Sequence, residues 1–344
     1  MKTQLLMVFL MMLFLLSTAC SAAPVAQPAE QTESAVEDSE TLSGSLVFLQ
    51  LDPGRQNLKR FDLTTGDSTT LFAVPANGWL SQMDVSPDGN QIVLAYAPPP
   101  EGDEVQFGYS SLYLMLADGE TEPRPLVERA SPEEIYFNPV WAPDSRHIYY
   151  SHVTPKGEDT FDYLLTLERL DFASGETELI VENGIWPRLS PDGSKVAYVT
   201  SDPETLESDL VVADADGANA LRLVLPETFT AVDAPLFSPD GQWLYFSAVT
   251  EDPVARLSWF DRLLGVQPAA AHDVPSDWWR LRLNGGTPER LTTLDEIGLF
   301  GDFSPDGRAM AFASVTGLYV MNPDGSQLAQ LLSTAADDTL AWVP

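Results

Sequence analysis

Along residues 43–344, short apolar runs alternate with polar turns at intervals too short for helices. The runs "QIVLAY" (91–96), "HIYYSH" (147–152), "KVAYVT" (195–200), "WLYFSA" (243–248) and "AMAFAS" (309–314) have strand length. Their β-branched and aromatic content predicts strands. Each follows a Pro-Asp turn: "VSPDG", "WAPDS", "LSPDG", "FSPDG" and "FSPDG", with prolines at 87, 143, 191, 239 and 305. A second series of turns interleaves with the first, among them "DLTTGD" from Asp62, "MLADGE" from Met115 and "MNPDGS" from Met321. Gly beside Asp, Asn or Ser between strand-like runs is hairpin chemistry.

The second series has six copies and the first has five. The mismatch locates the ends of the chain in the repeat. "GSLVFLQ" (Gly44–Gln50) enters the pattern at the second strand of a unit, and "TLAWVP" (Thr339–Pro344) reads as a first strand stopping at the motif Pro. One strand from the end and three from the beginning complete a sixth four-stranded unit, and such closure leaves the ring without an open edge. The expected fold is all-β, a six-bladed β-propeller over residues 43–344, closed by the C-terminal strand pairing into the N-terminal blade. The unit "FSPDGRAMAFASVTGLYVMNPDGSQLAQLL" (Phe303–Leu332), with the segment "ERLTTLDEIGLFGDFSPDG" before and into it, resembles the propeller repeat of the TolB-like family. The likeness extends over nearly all of the folded region. It implies the propeller fold and a role in envelope protein complexes. Because it lies in structural repeats, it carries over no partner-binding residues.

The first residues follow a different pattern. Lys2 precedes an apolar run, Leu5–Leu16, and then "STAC" ending at Cys20. The run suits a signal peptide over residues 1–19 rather than a membrane span. The placing of Cys20, the only cysteine, resembles the lipobox of bacterial lipoproteins, which implies lipidation at Cys20. Residues 20–42 are then a lipidated Cys and a disordered acidic tether, since Ala, Pro, Gln, Ser and carboxylates cannot build a core. The expected location is extracytoplasmic, lipid-anchored to the cell envelope, with the membrane as one partner.

A net charge of −33 repels nucleic acid, which is therefore excluded as a partner. No nucleophile elbow of the Gly-x-Ser-x-Gly type occurs. His147 and His152, five apart on one predicted strand, point to opposite faces. His272 lies beside Asp273 in a loop. "DADGAN" (Asp214–Asn219) has its Gly at the fourth place rather than the sixth of a calcium loop. No cofactor or metal site is assigned, and calcium stays open only at an acidic loop.

Strand order places all tight turns on one face of the ring and all long segments on the other. The long segments include 97–110, 154–163 and an insert at 250–278, and variable loops on a rigid scaffold are the usual place for binding. Within the insert, Leu257, Trp259, Phe260, Leu263 and Leu264 have helical spacing, flanked by Pro253 and Pro268. With Trp278 and Trp279 they form a candidate partner-binding insert. Asp84, Asp233 and Asp302, shortly before their turn motifs, are candidate channel-lining residues. Asp88, Asp144, Asp192, Asp240 and Asp306 are structural turn residues that cap their own turns. The functional expectation is a monomeric, non-catalytic module that binds a protein. The alternative is a propeller enzyme or a small-ligand or cation binder using the central channel.

Overall fold

The computed structural model describes residues 42–100, 109–157, 163–201, 208–223, 225–226, 229–250 and 274–344. Cys20, the leader, most of the tether and the insert residues Leu257, Trp259, Phe260, Leu263 and Leu264 lie outside the described residues. The tether as read from the sequence runs one residue too far, because Leu42 packs into the core between two blades.

The apolar runs form six antiparallel four-stranded blades. The first blade holds β4 (Trp79–Val85), β5 (Gln91–Ala97), β6 (Ser111–Leu116) and β7 (Arg124–Val127). The second holds β8 (Ile135–Trp141), β9 (His147–Pro155), β10 (Tyr163–Asp171) and β11 (Thr177–Glu182). The third holds β12 (Ile185–Leu189), β13 (Lys195–Ser201), β14 (Ser208–Asp214) and β15 (Leu221–Arg222). The fourth holds β16 (Ala231–Phe237), β17 (Trp243–Val249), β18 (Asp277–Arg282) and β19 (Glu289–Arg290). The fifth holds β20 (Phe300–Phe303), β21 (Met310–Ser314), β22 (Gly317–Met321) and β23 (Ala329–Leu332). The sixth joins the two ends of the fold, in the order β24 (Ala336–Val343), β1 (Ser45–Asp52), β2 (Arg55–Asp62) and β3 (Ser68–Ala73). The protein is a six-bladed propeller closed as the repeat count requires.

Strand periodicity explains what holds the blades together. Successive side chains leave a strand on opposite faces. In β1, Val47 and Leu49 pack toward the first blade beside Leu80, Ile92 and Leu94. Leu46 and Phe48 pack the other way, against Ala311, Ala313 and Leu318 of the fifth. The other four junctions are filled in the same manner by apolar clusters that take residues from both neighbours.

The Ser-Pro-Asp-Gly turn is a local hydrogen-bonded device. In the fourth blade, Ser238 Oγ donates to Asp240 Oδ1 at 2.5 Å and accepts the N–H of Trp243 at 2.9 Å. Asp240 Oδ1 also accepts the N–H of Gln242 at 3.0 Å. Ser86 with Asp88, Ser190 with Asp192, and Ser304 with Asp306 repeat the arrangement. The second blade has Ala142 at the Ser position, and there the imidazole Nδ1 of His147 pairs with Asp144 Oδ2 at 2.6 Å. The turn requires a positive φ, supplied by Gly241 at 65° and by Ser145 at 55°.

Candidate functional site

Each inner strand ends at its turn motif, so equal steps back from the motif Pro reach equal heights around the ring axis. Three residues before that Pro stand Asp84, Val140, Arg188, Leu236, Asp302 and Ala341, one per blade. Charged and apolar residues therefore alternate. The first, third and fifth blades contribute Asp, Arg and Asp.

Asp84, Arg188 and Asp302 line an axial cavity of about 260 Å³ together with Trp141, Phe237 and Phe303. Pro143, Pro191 and Pro239, all exposed, lie on its rim. The cavity therefore opens on the face of the tight turns, opposite the long segments. Asp84 and Asp302 are thus channel-lining residues, as their places before the turn motifs suggest. A much smaller cavity of about 10 Å³ follows on the axis, and Arg188 borders both. Gln82, Asn138, Trp186, Ala234 and Phe300, five residues before their motif prolines, constrict it. Asn138, Trp186 and Ala234 have φ of 48°, 54° and 44°, and register shifts occur at these steps of β8, β12 and β16. Such bulges re-aim the side chains that follow them.

The charged groups also join blades. Asp84 Oδ2 accepts the N–H of Trp141 at 2.7 Å, and Asp302 Oδ2 accepts that of Trp342 at 2.8 Å. Asp302 Oδ1 accepts the N–H of Phe303 at 2.9 Å. The Arg188 guanidinium lies 4.5 Å from the centre of the Phe300 ring and donates weakly to the Gly301 carbonyl at 3.4 Å. Burial pushes the Asp84 carboxyl up to about 7, against the opposing pull of Arg188 and the Trp141 N–H; nearby Asp302 adds to the rise. Burial likewise raises Asp302, against the charge of Arg188. Both carboxylates keep some solvent contact through the cavity while protein surrounds them.

Two other expectations change. Asp233 is buried in β16, six residues before its motif Pro rather than three, and is not among the residues lining either cavity. Trp278 and Trp279 belong to β18 and pack into blade junctions. Trp278 is fully buried, edge-on to Phe312 at 6.0 Å. Trp279 is half-buried and packs edge-on to Phe229 at 4.8 Å. Strand alternation turns Trp278 into the junction with the fifth blade and Trp279 into that with the third.

No family model matches the chain. A structure of TolB from Acinetobacter baumannii is similar over 88% of this chain and 67% of that one, with a TM-score of 0.61 and 15% identity. The likeness is one of fold. The shared fold is the six-bladed propeller. A chain of a nidogen/laminin complex superposes over 87% of this chain and 97% of its own, with a TM-score of 0.58 and 11% identity. In sequence, dipeptidyl-peptidase 5 of Porphyromonas gingivalis is 31% identical over 125 residues, 32% of this chain. The chain spans 17% of that relative's length and 41% of the next curated match.

A second polar cluster, on the long-segment side of the second blade, had no signal in the sequence. His152 Nδ1 lies 3.0 Å from Glu168 Oε1, and its Nε2 lies 3.8 Å from Glu134 Oε2. The Tyr136 ring stacks on the imidazole at 4.1 Å. Tyr150 donates to Glu168 Oε2 and Thr166 to Glu168 Oε1, both at 2.9 Å. Burial pushes Glu168 up, but the hydrogen bonds from His152, Thr166 and Tyr150 outweigh it and hold the group below its ordinary value. Among the described residues no group of three His, Cys, Asp or Glu side chains is disposed to hold a metal ion.

Proposed function

We propose that the protein is a non-catalytic binding module of the cell envelope, tethered through lipidated Cys20, that engages a protein partner through the long-segment face of its propeller. The observation that carries this reading is how the axial charges are used. Asp84 and Asp302 each hold a main-chain N–H of the next blade, so the polar centre braces the ring. The segments that differ in length from blade to blade sit on a rigid support, an arrangement suited to recognition. The TolB fold and the propeller of the nidogen/laminin complex are consistent with protein recognition.

A photo-crosslinking residue at Arg129, in the link between the first and second blades, tests the reading in cells. It is expected to capture one protein reproducibly, whereas the same residue at Glu178 on the outer strand β11 captures none. Equal capture from both sites, or from neither, would overturn it. Cys20→Ser is expected to abolish incorporation of labelled fatty acid and to release the protein from membranes.

The 260 Å³ cavity and the raised carboxyl of Asp84 favour a second reading, a small-ligand site at the channel mouth.

A further inference from the structure

The axial cavity has a specific charge balance. Three charged residues stand at equal height in alternate blades, two carboxylates and one guanidinium, among aromatic and aliphatic walls. The single cation is already engaged, by the Phe300 ring and the Gly301 carbonyl. With both carboxylates ionised the cavity lacks one positive charge. A carboxylate can accept about four hydrogen bonds. Asp84 receives one each from Trp141 and Val85, and Asp302 receives one each from Phe303 and Trp342, so both retain capacity where they border the cavity.

We propose that this cavity is a binding site for a primary ammonium group on a short unbranched apolar stem, with Asp84 and Asp302 receiving the ammonium and Trp141, Phe237 and Phe303 covering the stem. A monovalent organic cation supplies the missing charge without demanding coordination geometry. A divalent metal is poorly suited: the carboxylates stand in blades two apart around the ring, with Arg188 two blades from each at the same height, and metals of this kind want several oxygens converging within bonding distance. An anion meets two carboxylates for one occupied guanidinium. The walls complement the stem, since aromatic faces attract cations as well as apolar surface. The entrance between exposed prolines lies on the face that carries the turn carboxylates Asp88, Asp144, Asp192, Asp240 and Asp306, which draw a cation toward it. The inference is independent of the protein-binding face, and either can fail alone.

The same ammonium chemistry can come from a free amine or from a lysine side chain, and the probes separate the two. The full chain is titrated calorimetrically at pH 7 with n-butylammonium chloride, sodium butyrate and calcium chloride at matched ionic strength, and with Nα-acetyl-lysine-N-methylamide. Saturable binding of butylammonium is expected, with a Kd on the order of 1 mM, as befits so small a ligand. Butyrate is expected to give no saturable heat, and calcium none that displaces the amine. Binding should release protons, because the ammonium draws Asp84 into its ionised form, so the measured heat changes with the ionisation enthalpy of the buffer. Asp84→Asn and Asp302→Asn are expected to weaken binding at least tenfold. Both retain an oxygen to accept the neighbouring N–H, and circular dichroism checks their folding. Arg188→Gln, which removes the competing charge, is expected to bind at least as tightly. Lysine-derivative binding equal to or tighter than that of butylammonium assigns the site to a protein-borne side chain; its exclusion assigns it to a free amine. Absence of saturable butylammonium binding, binding unchanged in Asp84→Asn, or displacement by calcium overturns the proposal.

Discussion

Asp84 Oδ2 and the main-chain N of Trp141 are 2.7 Å apart, and this hydrogen bond helps tie the inner strand of the first blade to that of the second. The carboxyl that makes it is raised to about 7 by burial. The folded protein therefore holds a proton that an unfolded Asp releases near its ordinary value. That contribution is fully present below the ordinary Asp range and is lost as pH rises to about 7. Asp84→Asn keeps the acceptor and removes the titration. Urea unfolding is expected to show the variant gaining on the parent protein between pH 5 and pH 8, by on the order of 2 kcal/mol. A gap that does not change with pH would contradict this account.

Glu168 works in the opposite direction. Hydrogen bonds from His152, Thr166 and Tyr150 hold it below its ordinary value in spite of burial. Its stabilisation is present above the ordinary Glu range and is lost as pH falls through the lowered value. Glu168→Gln is expected to destabilise the protein at pH 7 by about 1–3 kcal/mol and to shrink that deficit toward pH 3. Chemical unfolding across that range measures it.

The turn serine offers a test with a natural control. Ser238 links Asp240 to the N–H of Trp243, while the second blade performs the turn with Ala142. Ser238→Ala, in a turn without a His147 equivalent, is expected to cost about 1 kcal/mol. That corresponds to a fall in Tm of about 2–4 °C in scanning calorimetry. Ligand binding in the axial cavity should be untouched.

Trp278 is fully enclosed between the fourth and fifth blades. Trp278→Ala is expected to cost about 3–5 kcal/mol through the cavity it leaves. A variant with parental stability that fails only to bind a partner would restore the docking role.

The propeller is legible in the chain because its signal is local: turn residues and strand alternation recur in every blade, and the split sixth blade follows from counting two series of turns. The axial trio is half legible. Asp84 and Asp302 stand out as carboxylates beside turns, but Arg188 looks like any strand residue until spacing from the motif Pro is held constant. The same rule removes Asp233. The His152 cluster is not legible. Glu134 comes from a link and Glu168 from the third strand, and only the register that sets His152 opposite Thr166 brings them together. Trp278 misleads because the insert read from the sequence, 250–278, runs into β18, whose register turns Trp278 inward.

The seam between β1 and β24 has a consequence for how the molecule is made. Ala336 opens the strand that pairs with β1, yet it leaves the ribosome 291 positions after Ser45. Until then β1 presents an unpaired edge, with Leu46 and Phe48 lacking their partners Trp342 and Leu340. Pairings so distant in sequence form slowly and expose the chain to misassembly. The sixth blade is thus the last of the six to be completed during biosynthesis, and the newborn chain carries an adhesive edge while the other five are made.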